Sequence, residues 1–434
     1  MRINFLVLLL LCLFCSCHHH RVYRALVYNN NLTGYYFLLD AQRLLILDKT
    51  GNIIYYKTPV VGMDFALQPN GLMSYGVTDK FYFMDSTFTE TDSISCIHIS
   101  GTDPRDLRIL PHGHFLMLGA DTVRMNLSQY YFDGGRGSDT ALVSWAVVQE
   151  VDSLKNVIFE WHARNHFNFS DADTSFLHSR TSVDFTHANA IELDTDGNIL
   201  LSCRNLNEIT KISHKDGSVI WRFGGKHNQF KFMNCPIPFY GQHDIRRISN
   251  GDITLFDNGT QPVPHPARAM EFKLDEVNKT ATLTWSYTLD STLYSKAKGN
   301  VQRLANHCTL INYGDQNNHL CFVVIDSTGC KLMQVNGLAS YRVLYYAALP
   351  WQLHRPRITC YDSAGTTYLD AGPGYTSYNW NTGATSRMIR ALRAGNYSVF
   401  VPYGPQGYIS SESFAVTNPD DPCNSGKFYT APEK

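Results

Sequence analysis

Short apolar runs broken by polar turns fill most of the chain, and one arrangement keeps returning. An apolar strand leads into a turn carrying Gly or Asn, and a second apolar strand follows. It is read at Leu67-Gln-Pro-Asn-Gly71, Ile109-Leu-Pro-His-Gly113, Leu193-Asp-Thr-Asp-Gly197 and Ile248-Ser-Asn-Gly251, with a degenerate copy at Leu304-Ala-Asn-His307. Asn-Gly and Asp-Gly supply the positive φ of tight turns, so each copy predicts a β-hairpin. Companion strands carry tryptophan: Phe159-Glu-Trp161, Val219-Ile-Trp221 and Leu283-Thr-Trp285. They follow their hairpins and are expected as outer strands of the same units, their rings packed between units.

A spacing of roughly 40–55 residues with several strands per unit is the signature of propeller blades. The gap from Gly113 to Gly197 is wider, and an irregular insertion around Asn165 to Ser182 accounts for part of it. The expectation is all-β, with about six blades between residues 24 and 350. A pair of β-sandwiches would not need the same hairpin at quasi-regular intervals. From Arg357 the character changes: Leu369 to Trp380, Thr382-Gly-Ala-Thr and Gly395 to Val401 give short strands at close intervals. That pattern predicts a small β-sandwich over 357–418, similar to immunoglobulin-like modules, with Pro350 to Pro356 as the boundary. Spacing or adhesion is its expected role.

Composition agrees with sheet. Aromatic residues make up 13% of the 434 residues and charged residues only 17%, and aromatic side chains suit half-buried pleated surfaces. Net charge is −1, with Lys+Arg 37 against Asp+Glu 38, so no broad field attracts nucleic acid. Arg2 followed by the apolar run Phe5 to Phe14 reads as a signal segment over residues 1–17, too short to span a bilayer. The run closes on Phe14-Cys15-Ser16-Cys17, which resembles a lipoprotein box with Cys17 acylated; plain secretion is the alternative. Export to a periplasm or cell envelope implies an oxidising compartment. The cysteines left after Cys12, Cys15 and Cys17 show no CxxC spacing, which disfavours zinc, and their pairing stays open. No cofactor is implied.

Two segments carry the chemistry. Asp184-Phe-Thr-His187-Ala-Asn189 precedes one hairpin and Arg204 follows it; Tyr240-Gly-Gln-His243-Asp244 precedes the next and Phe256-Asp257-Asn258-Gly259 follows it. A hairpin has both open ends on one side, so its flanking residues meet at one rim. Innermost propeller strands converge on the axis, which would bring His187, Arg204 and His243 from neighbouring blades to one pocket. Imidazole is a nucleophile or acid/base near neutral pH, and a guanidinium forks onto tetrahedral oxyanions. The set suits a sulfate or phosphate ester. His162, His166, His178, His265 and His354 fall in loops or insertions and are given no role. Asp257-Asn258-Gly259 looks like a calcium or sulfate contact, but such a sequence is more often just a turn.

The ordered set Thr-His187-Ala-Asn-Ala-Ile, Arg204, Gly-Gln-His243-Asp244 and Leu-Phe256-Asp-Asn-Gly resembles the PAPS-independent arylsulfotransferase family, over most of residues 60 to 350. The resemblance implies a six-bladed propeller that moves a sulfuryl group from a phenolic sulfate to a phenol through a sulfohistidine, without a nucleotide donor. It implies His243 as nucleophile, with His187 and Arg204 binding and polarising the sulfate; Arg105, Asn189 and Asp244 are the further candidates at the substrate. Family members usually carry a further His where this chain has Arg105 before Asp106-Leu107. Arginine binds sulfate but exchanges no proton near neutral pH; His98 and His112 are the candidate substitutes. A non-catalytic exported propeller that binds a ligand or partner is the second reading.

Overall fold

The computed structural model describes residues 23–28, 32–260, 263–316, 320–363 and 365–418. The signal segment, the lipoprotein box with Cys17 and Cys423 lie outside the described residues. The described residues are all-β, and the helical turns among them are three residues each.

Six sheets, each built on four antiparallel strands, follow one another along the chain. The second runs through Met63–Leu67, Met73–Val77, Lys80–Met84 and Glu90–Ile94, and the third through Gly101–Ile109, Phe115–Met125, Ala141–Val151 and Val157–His162. The fourth holds Ala188–Leu193, Ile199–Cys203, Glu208–Ile212 and Val219–Gly224. The fifth holds His243–Arg247, Ile253–Asp257, Arg268–Asp275 and Thr280–Tyr287. The sixth holds Asn300–Arg303, Thr309–Asn312, Leu320–Ile325 and Lys331–Asn336, with Arg24–Val27 added outside. The first is closed from both ends of this body: Ser340–Tyr346 pairs with Tyr35–Asp40, followed by Arg43–Leu47 and Ile53–Lys57.

The leading strands form a ring. Ser340–Tyr346 touches Met63–Leu67, contacts then pass through Gly101–Ile109, Ala188–Leu193, His243–Arg247 and Asn300–Arg303, and the last returns to Ser340–Tyr346. Each of the five hairpins read from the sequence joins the first and second strands of its sheet. At Gly197 and Gly251 φ is 82° and 89°, a region that glycine enters without steric cost. Trp161 and Trp221 are buried between successive sheets. Their indole N–H groups are satisfied, Trp161 donating to Gly217 O at 3.0 Å and Trp221 to Glu276 at 2.9 Å. Trp285 differs: it is half-buried beneath the Arg303 guanidinium, 3.6 Å from its ring centre.

Polar groups tie the ring together at its centre. The fully buried Arg342 bonds Asp244 at 2.7 Å and approaches Asp64 at 3.2 Å and Asp106 at 3.5 Å, while Arg246 bonds Asp106 at 3.0 Å. Removing one partner from such a buried set leaves an uncompensated charge and costs about 3–5 kcal/mol.

The tail docks on this body. Gly407–Ser410 pairs antiparallel with Ile53–Lys57, aligning Tyr408 with Tyr56 and Ile409 with Tyr55. It thereby carries Val399–Pro402 and Asn379–Trp380 onto the outer edge of the first sheet. Tyr408 stacks on Tyr56 at 5.0 Å, and Tyr403 meets Phe88 at 5.6 Å, so the seam is aromatic. Leu369, Trp380, Val399, Val401 and Ile409 form the tail's own core.

Candidate active site

The N-terminal ends of the fourth and fifth leading strands carry the two imidazoles. Their neighbours explain the placement. Phe185 and Thr186 are buried, and the Thr186 hydroxyl accepts from Ala146 N–H at 2.9 Å, pinning the chain just before His187. His187 then turns with φ 45° and Asp244 with φ 61°, conformations uncommon for residues with a side chain. Arg204 follows the second strand, and its N–H donates to His187 O at 3.2 Å. The hairpin's two open ends are thus stitched together.

His243 is 2% exposed. Its Nδ1 lies 2.8 Å from Asn258 Oδ1 and 3.0 Å from Gly241 O, while Nε2 accepts from Lys298 N–H at 3.1 Å. Asn258 Nδ2 donates to Ser295 Oγ and Lys298 O, both at 2.9 Å, which turns Oδ1 toward the ring. The proton therefore sits on Nδ1 and the lone pair on Nε2. Burial, then the positive charge of Arg204 and His187, hold the imidazole well below its usual pKa. It is neutral at physiological pH.

Arg204 is set differently from the other buried arginines. Nη1 donates to Asn205 Oδ1 at 3.0 Å and Nη2 to Lys296 O at 3.1 Å; the plane lies over the Phe176 ring at 4.4 Å. No carboxylate among the described residues forms a salt bridge with it, and Nε is buried without a partner. Burial, then Asp184 acting upward and Arg105 acting downward, leave its pKa at about 10. A desolvated guanidinium with a free donor is a ready partner for an anion.

His187 Nδ1 bonds Asp184 Oδ2 at 2.6 Å. Burial lowers its pKa, against the pull of the Asp184 bond. Arg105 bonds Asp103 at 2.6 Å and reaches Asp184 at 3.9 Å. Burial works against its charge, but Asp103, Tyr341 and Asp184 raise its pKa. Tyr341 stands 6.1 Å from the His243 ring. His187, Arg204, His243 and Arg105 therefore share one electrostatic neighbourhood.

Asn189 and Asp244 are engaged with the scaffold. The Asn189 amide donates to Gln242 O at 2.8 Å and accepts from Asp244 N–H at 3.3 Å. Asp244 faces Arg342 and Arg246 at 2.7 and 2.8 Å. His98 and His112 are both exposed, and His112 sits in a hairpin turn. Asn258, read as a turn within the motif Phe256-Asp-Asn-Gly, was not expected as the partner of His243, and Ser295 and Lys298 carried no signal. The insertion supplies Phe176, the apolar plate under Arg204. His265, given no role, bonds Asp257 at 2.7 Å behind Asn258.

In a comparison of the sequence with protein families, the model for arylsulfotransferase (ASST) matches residues 24–321. The chain belongs to the arylsulfotransferase family. Among curated proteins nothing matches it. Solved structures similar to this family member include a protein of unknown function from Bacteroides caccae, at 14% identity, TM-score 0.47, 72% of this chain and 98% of that one. A catalytically inactive virginiamycin B lyase from Staphylococcus aureus with quinupristin is 11% identical, TM-score 0.40, over 80% of this chain and 95% of that one. A streptogramin B lyase is 10% identical, TM-score 0.40, over 85% and 98%. At these scores none of the three bears on the chemistry of this arylsulfotransferase family member.

Proposed function

We propose that this protein is an exported arylsulfotransferase built as a six-bladed propeller, its closed ring of leading strands forming the axis. It moves a sulfuryl group from a phenolic sulfate to a phenol through His243, with a lipid on Cys17 as its attachment to the cell envelope. The observation that carries this reading is Arg204: a half-buried guanidinium with no salt-bridge partner among the described residues, in the electrostatic neighbourhood of His187 and His243.

In the first half-reaction His243 Nε2 attacks sulfur in line with the aryl oxygen. The S–N bond forms, the S–O(aryl) bond breaks, and its electron pair leaves on the phenolate. In the second half-reaction the acceptor phenol gives up its proton as its oxygen bonds sulfur, the S–N bond breaks and its electron pair returns to Nε2. Such a transfer needs mainly positioning and charge stabilisation. The Nδ1–H bonds to Asn258 and Gly241 hold the ring and take up positive charge as Nε2 bonds to sulfur. Lys298 N–H must release Nε2 as the sulfuryl group arrives. Arg204 offsets charge on the non-bridging oxygens, His187 lies toward the leaving aryl oxygen, and Arg105 adds positive charge.

The test is turnover of 4-nitrophenyl sulfate with and without added phenol. Phenol-dependent release of nitrophenolate, lost in His243→Ala, is expected. Release at the same rate without phenol makes the protein a sulfatase, and no release on a panel of aryl sulfates leaves the ligand-binding propeller.

A further inference from the structure

Behind His187 runs a line of alternating charge that the transfer described above does not use. Asp184 ends the short strand Ser182–Asp184, which pairs parallel with the third sheet, and its backbone O accepts from Asn205 Nδ2 at 2.7 Å. Its carboxylate grips His187 twice, Oδ2 on Nδ1 at 2.6 Å and Oδ1 on the backbone N–H at 3.2 Å. Arg105 Nη2 approaches the same Oδ2 at 3.9 Å, and Arg105 is itself bonded to Asp103 at 2.6 Å. Asp103, Arg105, Asp184 and His187 thus form a chain that ends at an imidazole 25% exposed, the most accessible ring at the site.

The two histidines are held in different ways. His243 has amide and backbone partners only, whereas His187 has a carboxylate. An ionised carboxylate on Nδ1 fixes the tautomer, leaves Nε2 as the basic nitrogen, and stabilises the imidazolium once Nε2 takes a proton. The surroundings of Asp184 push its pKa up, but the His187 bonds and the Arg105 charge outweigh this and keep it below the usual carboxylate range. It is therefore ionised at neutral pH. Arg105 stays a cation throughout and relays no proton.

We propose that His187 Nε2 is the proton carrier for the phenol oxygens and that Asp184 is the positioning residue that makes it one, a proposal that rests on the transfer through His243. When the donor is cleaved, imidazolium His187 gives its proton to the departing phenolate oxygen, and the electron pair of the N–H bond returns to Nε2. When the acceptor enters, neutral His187 takes the phenol proton as the phenol oxygen bonds sulfur and the S–N bond to His243 breaks. One proton is given and one taken back, so the cycle closes without a further co-reactant. The sulfate monoanion arriving beside His187 favours the protonated form that the first step needs.

The experiment is Asp184→Asn in the full chain, assayed with a fixed 4-nitrophenyl sulfate donor and a series of acceptor phenols of rising acidity. Loss of a positioned base slows proton transfer by about 10²–10⁴-fold. Ordinary phenols, with a pKa of about 10 like tyrosine, are expected to lose at least a hundredfold in rate. A strongly acidic nitrophenol, already ionised, should lose at least ten times less. Asp184→Glu should recover most of the difference. Equal losses for acidic and ordinary acceptors, or no loss, would overturn the proposal. Sulfuryl label on His243 is followed in parallel: its absence from the wild type strikes the transfer reading, while its presence with a flat acceptor series strikes the proposal alone.

Discussion

Replacing Arg204 by lysine keeps a positive charge and removes a shape. The guanidinium is held flat on Phe176 and spends two N–H groups on Asn205 and Lys296, leaving its remaining Nη donors for an anion. A lysine ammonium is a single point with no fork, and it inherits at best one of the two protein bonds. Removing one well-aimed donor from a developing oxyanion costs about 10²–10³ in rate. The retained charge recovers part of that, so kcat/KM for an aryl sulfate should fall about a hundredfold, or about 2.7 kcal/mol. The burial that brings Arg204 to about 10 acts on a lysine too, whose ordinary pKa is about 10.4, so the assay is run slightly below neutral pH to keep the amine charged. Nitrophenolate release in the presence of phenol is the readout, with a melting curve to establish that the variant is folded. A folded variant within threefold of the wild type refutes the clamp, because a fork and a point charge would then be equivalent at this site.

Other consequences follow from the same contacts. His243 is neutral in the fold and titrates at its ordinary value, about 6.5, when unfolded. The unfolded state thus binds the extra proton, and stability present above that pH is lost as the pH falls through and below it, by about 1.4 kcal/mol per pH unit. His243→Gln should flatten the acid limb of a denaturation series by about that slope; an unchanged limb would mean the ring is protonated in place. The docked tail offers a mechanical test, since a Cβ on Gly407 would lie 2.5 Å from both Tyr403 O and the Tyr55 hydroxyl. Gly407→Val should unseat the strand from Ile53–Lys57 and destabilise the protein by about 1–3 kcal/mol, read as a lower denaturant midpoint. A midpoint equal to the wild type would mean the seam contributes nothing.

The hairpins were legible because their physics is local: a turn glycine at positive φ and two apolar strands declare themselves within a dozen residues. For the same reason Trp161 and Trp221 could be assigned to the spaces between units. The closing strand Ser340–Tyr346 was not legible, since its partner Tyr35–Asp40 lies some 300 residues away and pairing at that distance leaves no local mark. That His187 and Arg204 stand side by side was legible from hairpin geometry, because residues flanking a hairpin must share a rim. What holds each of them was not. Asn258 looked like a turn residue, and its orientation depends on Ser295 and Lys298 in another sheet's approach loop. Asn189 and Asp244 stood next to the histidines in sequence, yet the left-handed turn at Asp244 and the strand pairing direct them to Gln242, Arg342 and Arg246. Adjacency along a chain says little about direction once the backbone reverses there.

The account depends most on one covalent bond. Protein incubated briefly with an aryl [³⁵S]sulfate in the absence of acceptor, then denatured at alkaline pH and digested, should yield one labelled peptide with the label on His243, discharged when phenol is added before denaturation. Label on another residue, or none while phenol-dependent turnover is observed, would contradict transfer through this imidazole.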